Sequence, residues 1–277
     1  MILVTGAAGT LGSQICRQLV ARDDVVLGVD VNEIDLYRLS LEIPITPIVD
    51  SITRPELWDK LHREYDITTV INCAAVKHVL TVEQHSDWAQ IVNHDAVGYM
   101  TEKPWKVVHV ATDKSVNPSN KYGFTKMKGE QLALKRNASV IRLVNIHNSR
   151  GCAEEIFAKQ IAEGGPVTAR DKRMKRYYTT VEQAAKDTIA VADNAPPGLF
   201  MPDPRDPIAL DDIIKTMIDE SLIPVGPPES WGTHGIDIVY TGAKPGEKLI
   251  EDVLADNEKQ EAVKWSSRIS RVIRDDR

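Results

Sequence analysis

Short apolar runs alternate, through the first half of the chain, with longer stretches whose apolar residues recur every three or four positions. The runs at 2–5, 25–29, 47–49, 69–72, 106–111 and 139–144 are β-branched and almost continuously apolar, which predicts strands buried on both faces. Helices are predicted between them. One at 12–21 follows a glycine turn, one at 54–65 carries Pro55 in its first turn, and one at 122–136 is rich in Lys, Met, Leu, Gln and Glu. Four or five such units make an α/β protein with a doubly wound parallel sheet. From about Gly151 the pattern loosens. Gly164-Gly165-Pro166, Ala195-Pro196-Pro197-Gly198 and the proline cluster at 224–228 punctuate short helices expected at 181–193 and 210–220. The chain therefore divides into a larger unit at 1–150 and a smaller, loop-rich C-terminal region at 151–277, with segments expected to cross between them. The charged stretch from about Asp256 is expected to be helical or partly frayed.

Composition removes several classes. The 277 residues are 42% hydrophobic and 27% charged, as in ordinary globular proteins. Lys and Arg number 34 against 40 Asp and Glu, a net charge of −6, so there is no basic field to hold a nucleic-acid backbone. No apolar run approaches the roughly 20 residues that span a bilayer. The N-terminus, MILVTGAAGTLG, reads as a strand and glycine turn rather than a signal peptide, and the expectation is a soluble, cytoplasmic protein without a membrane partner. Cys16, Cys73 and Cys152 lie far apart with no CxxC and no nearby His pair, so neither a disulfide framework nor a metal site is expected.

Two motifs carry chemistry. Thr5-Gly6-Ala7-Ala8-Gly9-Thr10-Leu11-Gly12 places glycines at 6, 9 and 12 between a strand and a helix. Such a turn brings backbone N–H groups up to a pyrophosphate at the positive helix end, the arrangement of a Rossmann-type dinucleotide fold. Asp30 ends the second strand, where a carboxylate accepts hydrogen bonds from ribose hydroxyls and repels a 2′-phosphate, favouring NAD over NADP. The second motif is Tyr122-Gly123-Phe124-Thr125-Lys126, which sets a phenol and an ammonium one helical turn apart. The lysine charge stabilises a phenolate, so the tyrosine can take a proton from a hydroxyl whose carbon loses hydride.

Together these stations resemble a known family: the extended short-chain dehydrogenase/reductases of the polysaccharide-biosynthesis group, which includes the inverting UDP-N-acetylglucosamine 4,6-dehydratases. The resemblance rests on TGAAGTLG (5–12), VDVNEIDLY (29–37), NCAAVKHV (72–79), ATDKSVNPSNKYGFTK (111–126), IRLVNIHNSRG (141–151), GGPVTARDKRMKRYYTT (164–180) and TGAKPGEKLIEDV (241–253), in that order. It implies transient oxidation of C4 of a hexose by bound NAD, loss of water across C5 and C6, and return of hydride to C6. Tyr122 with Lys126 then serves the C4 hydroxyl. Lys114 takes the C5 proton as a neutral amine, Asp113 protonates the leaving C6 hydroxyl, and Thr112 bonds substrate or orients the pair. The resemblance further implies cofactor contacts at Gly6, Gly9, Thr10, Leu11, Gly12, Asp30, Ser51, Ile52, Ala74, Ala75 and Lys77, and at Tyr122 and Lys126 themselves. Substrate contacts fall at Lys77, His78, Asn145, Arg150, Arg176, Lys244 and Glu247, and the substrate is a UDP-linked sugar. Arg170, Lys172, Arg173, Lys175 and Arg176 also form a basic cluster suited to phosphate.

Some positions depart from the family pattern. Asp95 stands where relatives carry Asn, Lys244 replaces Arg before Pro-Gly-Glu, and Val144 and Asn148 replace glycines. Between Gly98 and Thr112 the chain is shorter by roughly two helical turns. That segment supplies the family's dimer bundle, so a homo-oligomer of altered form, or none, is expected. Two further readings use the same residues: a UDP-sugar epimerase sharing the C4 oxidation, and a catalytically idle protein that binds NAD or a nucleotide sugar.

Overall fold

A computed structural model describes residues 1–221 and 235–275; the proline cluster at 224–228 lies outside the described residues. The first half runs β1 (Ile2–Thr5), α1 (Thr10–Val20), β2 (Val26–Asp30), α2 (Glu33–Glu42), β3 (Thr46–Val49), α3 (Pro55–Glu64) and β4 (Thr69–Asn72). It continues through α4 (Val79–Gln84), α5 (Ser86–Gln90), a π turn at Ile91–Asp95, α6 (Ala96–Thr101), β5 (Lys106–Thr112), α7 (Lys121–Lys135) and β6 (Ser139–Leu143). After it come β7 (Asn145–Ile146), α8 (Ala153–Ala162), β8 (Val167–Ala169), β9 (Lys175–Arg176), β10 (Tyr178–Thr179), α9 (Val181–Asn194), β11 (Gly198–Pro202), β12 (Ile208–Ala209), α10 (Leu210–Glu220), β13 (Ile238–Tyr240), β14 (Glu258–Val263) and β15 (Ser266–Arg274).

Nine strands form one sheet in the order β3-β2-β1-β4-β5-β6-β11-β15-β14. The strands from β3 to β11 pair in parallel, while β15 joins β11, and β14 joins β15, in antiparallel fashion. The winding reverses between β1 and β4. In open α/β sheets a crevice forms there, outside the carboxyl ends of the strands. Ile15 and Leu19 of α1, Leu36 of α2 and Ile189 of α9 pack on one face, and Trp58 and Leu61 of α3, Met100 of α6 and Ala133 of α7 on the other. Both layers therefore exclude water from the strands beneath. A smaller apolar cluster of Phe157, Ile161, Val167 and Ile214 holds α8, β8 and α10 together.

Two expectations from the pattern need correction. The charged tail is neither helical nor frayed: 258–263 and 266–274 form the hairpin β14–β15. Ile269 and Val272 are buried on opposite faces, in the two separate core clusters, and the charges that suggested a helix lie among residues at an edge of the sheet. Nor is β3 buried on both faces. As the other edge strand it leaves Thr46, Pro47 and Val49 exposed, and Pro47 is tolerated because an edge strand can forgo a ladder donor.

Candidate active site

The glycine turn closes tightly. Gly6 has φ +64°, and a Cβ there would lie 2.7 Å from the Ala74 nitrogen, while one on Gly12 would lie 2.1 Å from the Gly6 carbonyl oxygen. Only glycine permits the turn, the loop after β4 and the start of α1 to meet this closely. α1 begins after Gly9 with no side-chain cap, so Thr10, Leu11 and Gly12 form a first turn whose N–H groups have no side-chain acceptor. At the end of β2, the Asp30 carboxylate accepts from the Ala8 N–H at 2.9 Å through Oδ2 and from the Asn32 N–H at 2.9 Å through Oδ1. Each oxygen keeps a lone pair for a further donor. These residues fit a dinucleotide: a cradle that a Cβ would fill, an uncapped helix start and a fixed carboxylate. Ser51 and Ile52 follow β3. The Ser51 N–H donates to Asp50 Oδ1 at 2.7 Å, and Ile52 is buried with its carbonyl accepting from Trp58 Nε1 at 2.9 Å. Ala74 backs onto Gly6, and Ala75 is exposed.

The residues expected to handle protons gather where β5 ends. Thr112 caps a single 3-10 turn, Asp113–Ser115, and Asn120 caps α7 by accepting from the Gly123 N–H at 2.9 Å. The two caps direct Asp113, Tyr122 and Lys126 inward, where all three are buried. Asp113 is 1% exposed; its Oδ1 accepts from the Thr112 hydroxyl at 2.9 Å and from Lys114 Nζ at 3.0 Å, whereas Oδ2 is buried with no partner. An orphaned carboxylate oxygen is costly inside a protein, so this one is available to an incoming donor. Lys114 Nζ also donates to Asn145 Oδ1 at 2.9 Å, and Asn145 Nδ2 is fixed on the Tyr177 carbonyl.

Tyr122 and Lys126 share a face, but they influence each other less than their spacing predicts. Lys126, 4% exposed, donates to the Val110 carbonyl at 2.8 Å, and burial pulls its ammonium down to about 8. Burial pushes the Tyr122 phenol up, the Asp113 charge adds to that, and only the Thr112 hydroxyl pulls the other way. Desolvation of the charged form therefore outweighs attraction between the two groups.

The other candidates divide between two places. Arg150 lies over the glycine turn rather than by the Asp113–Lys114 pair: its N–H donates to Thr10 Oγ1 at 3.1 Å, and Nη1 donates to Asp35 Oδ2 at 2.6 Å and to the Ala8 carbonyl at 3.3 Å. Lys77 donates to the Arg150 carbonyl, and the His78 ring packs under Gly151. Arg176, Lys244 and Glu247 occupy a second wall. The Lys244 N–H donates to Glu247 Oε2 at 2.7 Å, Glu247 pairs with Arg170 at 3.5 Å, and Arg176 is held mainly by backbone carbonyls. In the basic cluster, Arg173 turns onto Asp171. Asn148 has φ +52°, a conformation that favours glycine and that Asn tolerates.

Two residues escaped sequence reasoning. Asp95 faces outward against His94, and it is Asn93 that points into the protein. The Asn93 side chain accepts from the Val76 N–H at 2.9 Å and donates to the Val76 carbonyl and to Thr125 Oγ1, both at 3.0 Å, tying the loop after β4 to the tyrosine helix. The π turn at Ile91–Asp95 rotates the register that a regular helix would give, and no motif announces it. The second is Glu251, a buried carboxyl on the wall that carries Lys244 and Glu247.

The doubly wound parallel sheet, the glycine turn at the start of α1 and the tyrosine–lysine helix after β5 form the arrangement that the sequence's resemblance to short-chain dehydrogenase/reductases implies. The chain belongs to the family described as "Polysaccharide biosynthesis protein", whose model matches residues 2–272. It is 31% identical over 279 residues to the probable polysaccharide biosynthesis protein EpsC of Bacillus subtilis, with 93% of this chain and 45% of that protein covered. The chain thus spans about half the length of that relative. It is 26% identical over 211 residues to a UDP-N-acetylglucosamine 4,6-dehydratase (inverting) of Campylobacter jejuni, covering 68% of this chain and 62% of that one. Among solved structures, DesIV of Streptomyces venezuelae, a dTDP-glucose 4,6-dehydratase with NAD and TYD bound, shares the fold at TM-score 0.75 and 17% identity, covering 91% of this chain and 87% of that one. No helix among the described residues is long and apolar enough to cross a membrane.

Proposed function

We propose that this chain is an NAD-dependent nucleotide-sugar 4,6-dehydratase whose substrate is UDP-N-acetylglucosamine and whose product is inverted at C5. The observation that carries the reading is the buried Asp113, bonded through one oxygen to Lys114 and Thr112 while its other oxygen is buried without a partner. An epimerase needs only a base for the C4 hydroxyl; an acid and an amine next to that base suit elimination of water. The Campylobacter relative carries the same activity in its name.

Gly6, Gly9, Thr10, Leu11 and Gly12 would hold the cofactor pyrophosphate, Asp30 its adenosine ribose, and Ala74, Ala75, Ser51 and Ile52 the flanking surfaces. When bound, NAD supplies a hydride acceptor at C4 and a donor at C6. The chain itself handles protons. Tyr122 takes the C4 hydroxyl proton as its phenolate, a form that the Lys126 ammonium favours and that burial opposes. Lys114, held by Asn145, takes the C5 proton. Asp113 gives a proton to the C6 hydroxyl, and water leaves. The products balance the substrate: hydride from C4 ends on C6, a solvent-exchanged proton is added to the opposite face of C5 in place of the one Lys114 removed, and the C4 hydroxyl proton held by Tyr122 makes good the one Asp113 gave to the departing water. In this reading Lys77 and Arg150, over the glycine turn, and Lys244, on the second wall, would supply cations for the phosphates, with His78, Asn145, Arg176 and Glu247 on the substrate side. The 1–150 unit in this reading holds the cofactor and the reacting groups, and the 151–277 region the nucleotide sugar.

Removing one proton-transfer group lowers turnover by about 10²- to 10⁴-fold. Tyr122→Phe and Lys114→Ala are therefore expected to abolish measurable conversion of UDP-N-acetylglucosamine while each still binds NAD with the wild-type Kd in calorimetry. Retained turnover in both variants contradicts the assignment.

A further inference from the structure

The loop 116–120 joins the turn that carries Asp113 and Lys114 to the helix that carries Tyr122 and Lys126. The segment from Lys244 to Asp252 docks along that loop at two points. At one, the Gly246 carbonyl accepts from Ser119 Oγ at 2.8 Å and from Asn120 Nδ2 at 3.0 Å. At the other, Lys248 Nζ donates to the Val116 carbonyl at 3.0 Å and to Asp252 Oδ2 at 2.8 Å. The approach at Gly246 leaves no room for a side chain: its φ is +82°, and a Cβ there would lie 2.7 Å from the Ser119 carbonyl oxygen. Asn120 serves both sides of the junction. Its Oδ1 accepts from the Gly123 N–H at 2.9 Å and caps the tyrosine helix, while its Nδ2 holds Gly246. One partner is a donor and the other an acceptor, so together they fix the orientation of the amide. An aspartate would cap equally well, but it has no N–H to offer a carbonyl.

We propose that Asn120 is a positioning residue that locks the wall carrying Lys244 and Glu247 onto the start of the tyrosine helix, so that this wall is in place before substrate arrives. The lock sits between the groups it aligns. Tyr122 lies two residues beyond Asn120, and Lys244 two residues before Gly246. The turn around Gly246 is closed on itself, since the Glu247 N–H donates to the Lys244 carbonyl at 3.0 Å and the Lys244 N–H to Glu247 Oε2 at 2.7 Å. A displacement of Gly246 therefore carries Lys244 and Glu247 with it, away from Tyr122. A wall that must be ordered at the moment of binding costs affinity, which the lock avoids. The consequence for substrate rests on the dehydratase reading; the junction between the segment and the helix does not.

The junction can be read without turnover, by amide hydrogen exchange on the full chain. Asn120→Asp keeps the cap and removes the lock, so amides of 244–248 are expected to exchange about tenfold faster while those of 123–126 keep their protection. Gly246→Ala, which wedges the two backbones apart from the other side, is expected to quicken the same amides, and the two effects should not add. Asn120→Ala loses cap and lock together, so both stretches should quicken. Unchanged exchange at 244–248 in Asn120→Asp and in Gly246→Ala overturns the proposal, whatever the substrate proves to be. Where the wild type converts UDP-N-acetylglucosamine, Asn120→Asp is expected to raise KM about tenfold with kcat within about twofold, because binding now has to order the wall. A fall in kcat alone, with KM unchanged, would reflect fewer folded molecules and contradict the inference.

Discussion

Lys126 shows what a buried ammonium costs the fold. Its ammonium is buried against one carbonyl and titrates near 8, where an exposed lysine titrates at 10.5, a difference worth about 3 kcal/mol at neutral pH. The sign follows from linkage. Between pH 8 and 10 the unfolded chain holds a proton that the folded chain has released, so this lysine's contribution to stability grows with pH across that window. Tyr122, Cys16 and Cys73, all raised by burial, act oppositely at higher pH, so the lysine has to be isolated by difference. Lys126→Met is expected to equal or exceed wild-type stability at pH 7, and the gap between the two urea-unfolding curves should narrow from pH 8 to 10. Turnover should be lost in that variant. At this scale the sequence showed which residue types gather, because TGxxGxxG, Asp30, Thr112-Asp113-Lys114 and YxxxK each carry their spacing in the chain. It did not show Glu251 or Asn93. One is brought beside Arg176 by a clamp between residues more than seventy positions apart, and the other is turned inward by a π turn without a motif.

Among the elements, the C-terminal hairpin has the largest unanticipated role. Arg142, 1% exposed in the middle of β6, pairs with Glu130 of α7 at 2.7 Å and with Glu258 of β14 at 2.8 Å. Arg274 of β15 reaches the same two carboxylates at 2.7 and 3.0 Å. The Ser115 hydroxyl, at the end of the turn that carries Asp113 and Lys114, lies 2.8 Å from Glu130 Oε2. The hairpin is thus tied through a buried ionic network to the turn that carries Asp113 and Lys114. Removing one partner of such a network strands a buried charge and costs about 3–5 kcal/mol. Arg142→Leu is expected to lose about that much in denaturant unfolding. Arg142 and its hydrogen bonds also hold Glu258 down at about 2, so the stability from this contact is complete above pH 4.5 and disappears as pH falls toward 2. The variant should therefore lack part of the wild-type acid transition; an unchanged transition would show that the network contributes little. The helical reading of this tail failed because period-2 alternation is short and interrupted by Arg268, Arg271 and Arg274, side chains that an edge pair can hold at its rim or fold onto buried carboxylates.

Over the whole molecule, the order of strands and helices was legible because each doubly buried strand declares itself as an apolar run and each crossover helix by its periodicity. The return of β11, β14 and β15 to the sheet was not, since pairing between distant strands leaves no local trace. That topology puts the cofactor crevice at the reversal between β1 and β4 and the Asp113–Lys114 pair at the carboxyl end of the adjacent β5. The central claim is that this pair turns a C4 oxidation into loss of water. Its most direct test is conversion of UDP-N-acetylglucosamine by the NAD-loaded protein in deuterated water, followed by mass spectrometry and proton NMR. The account predicts a product lacking one water, with deuterium at C5 and couplings that report inversion there. A product of unchanged elemental composition with altered configuration at C4 and no deuterium at C5 would contradict it and assign the chain to epimerisation.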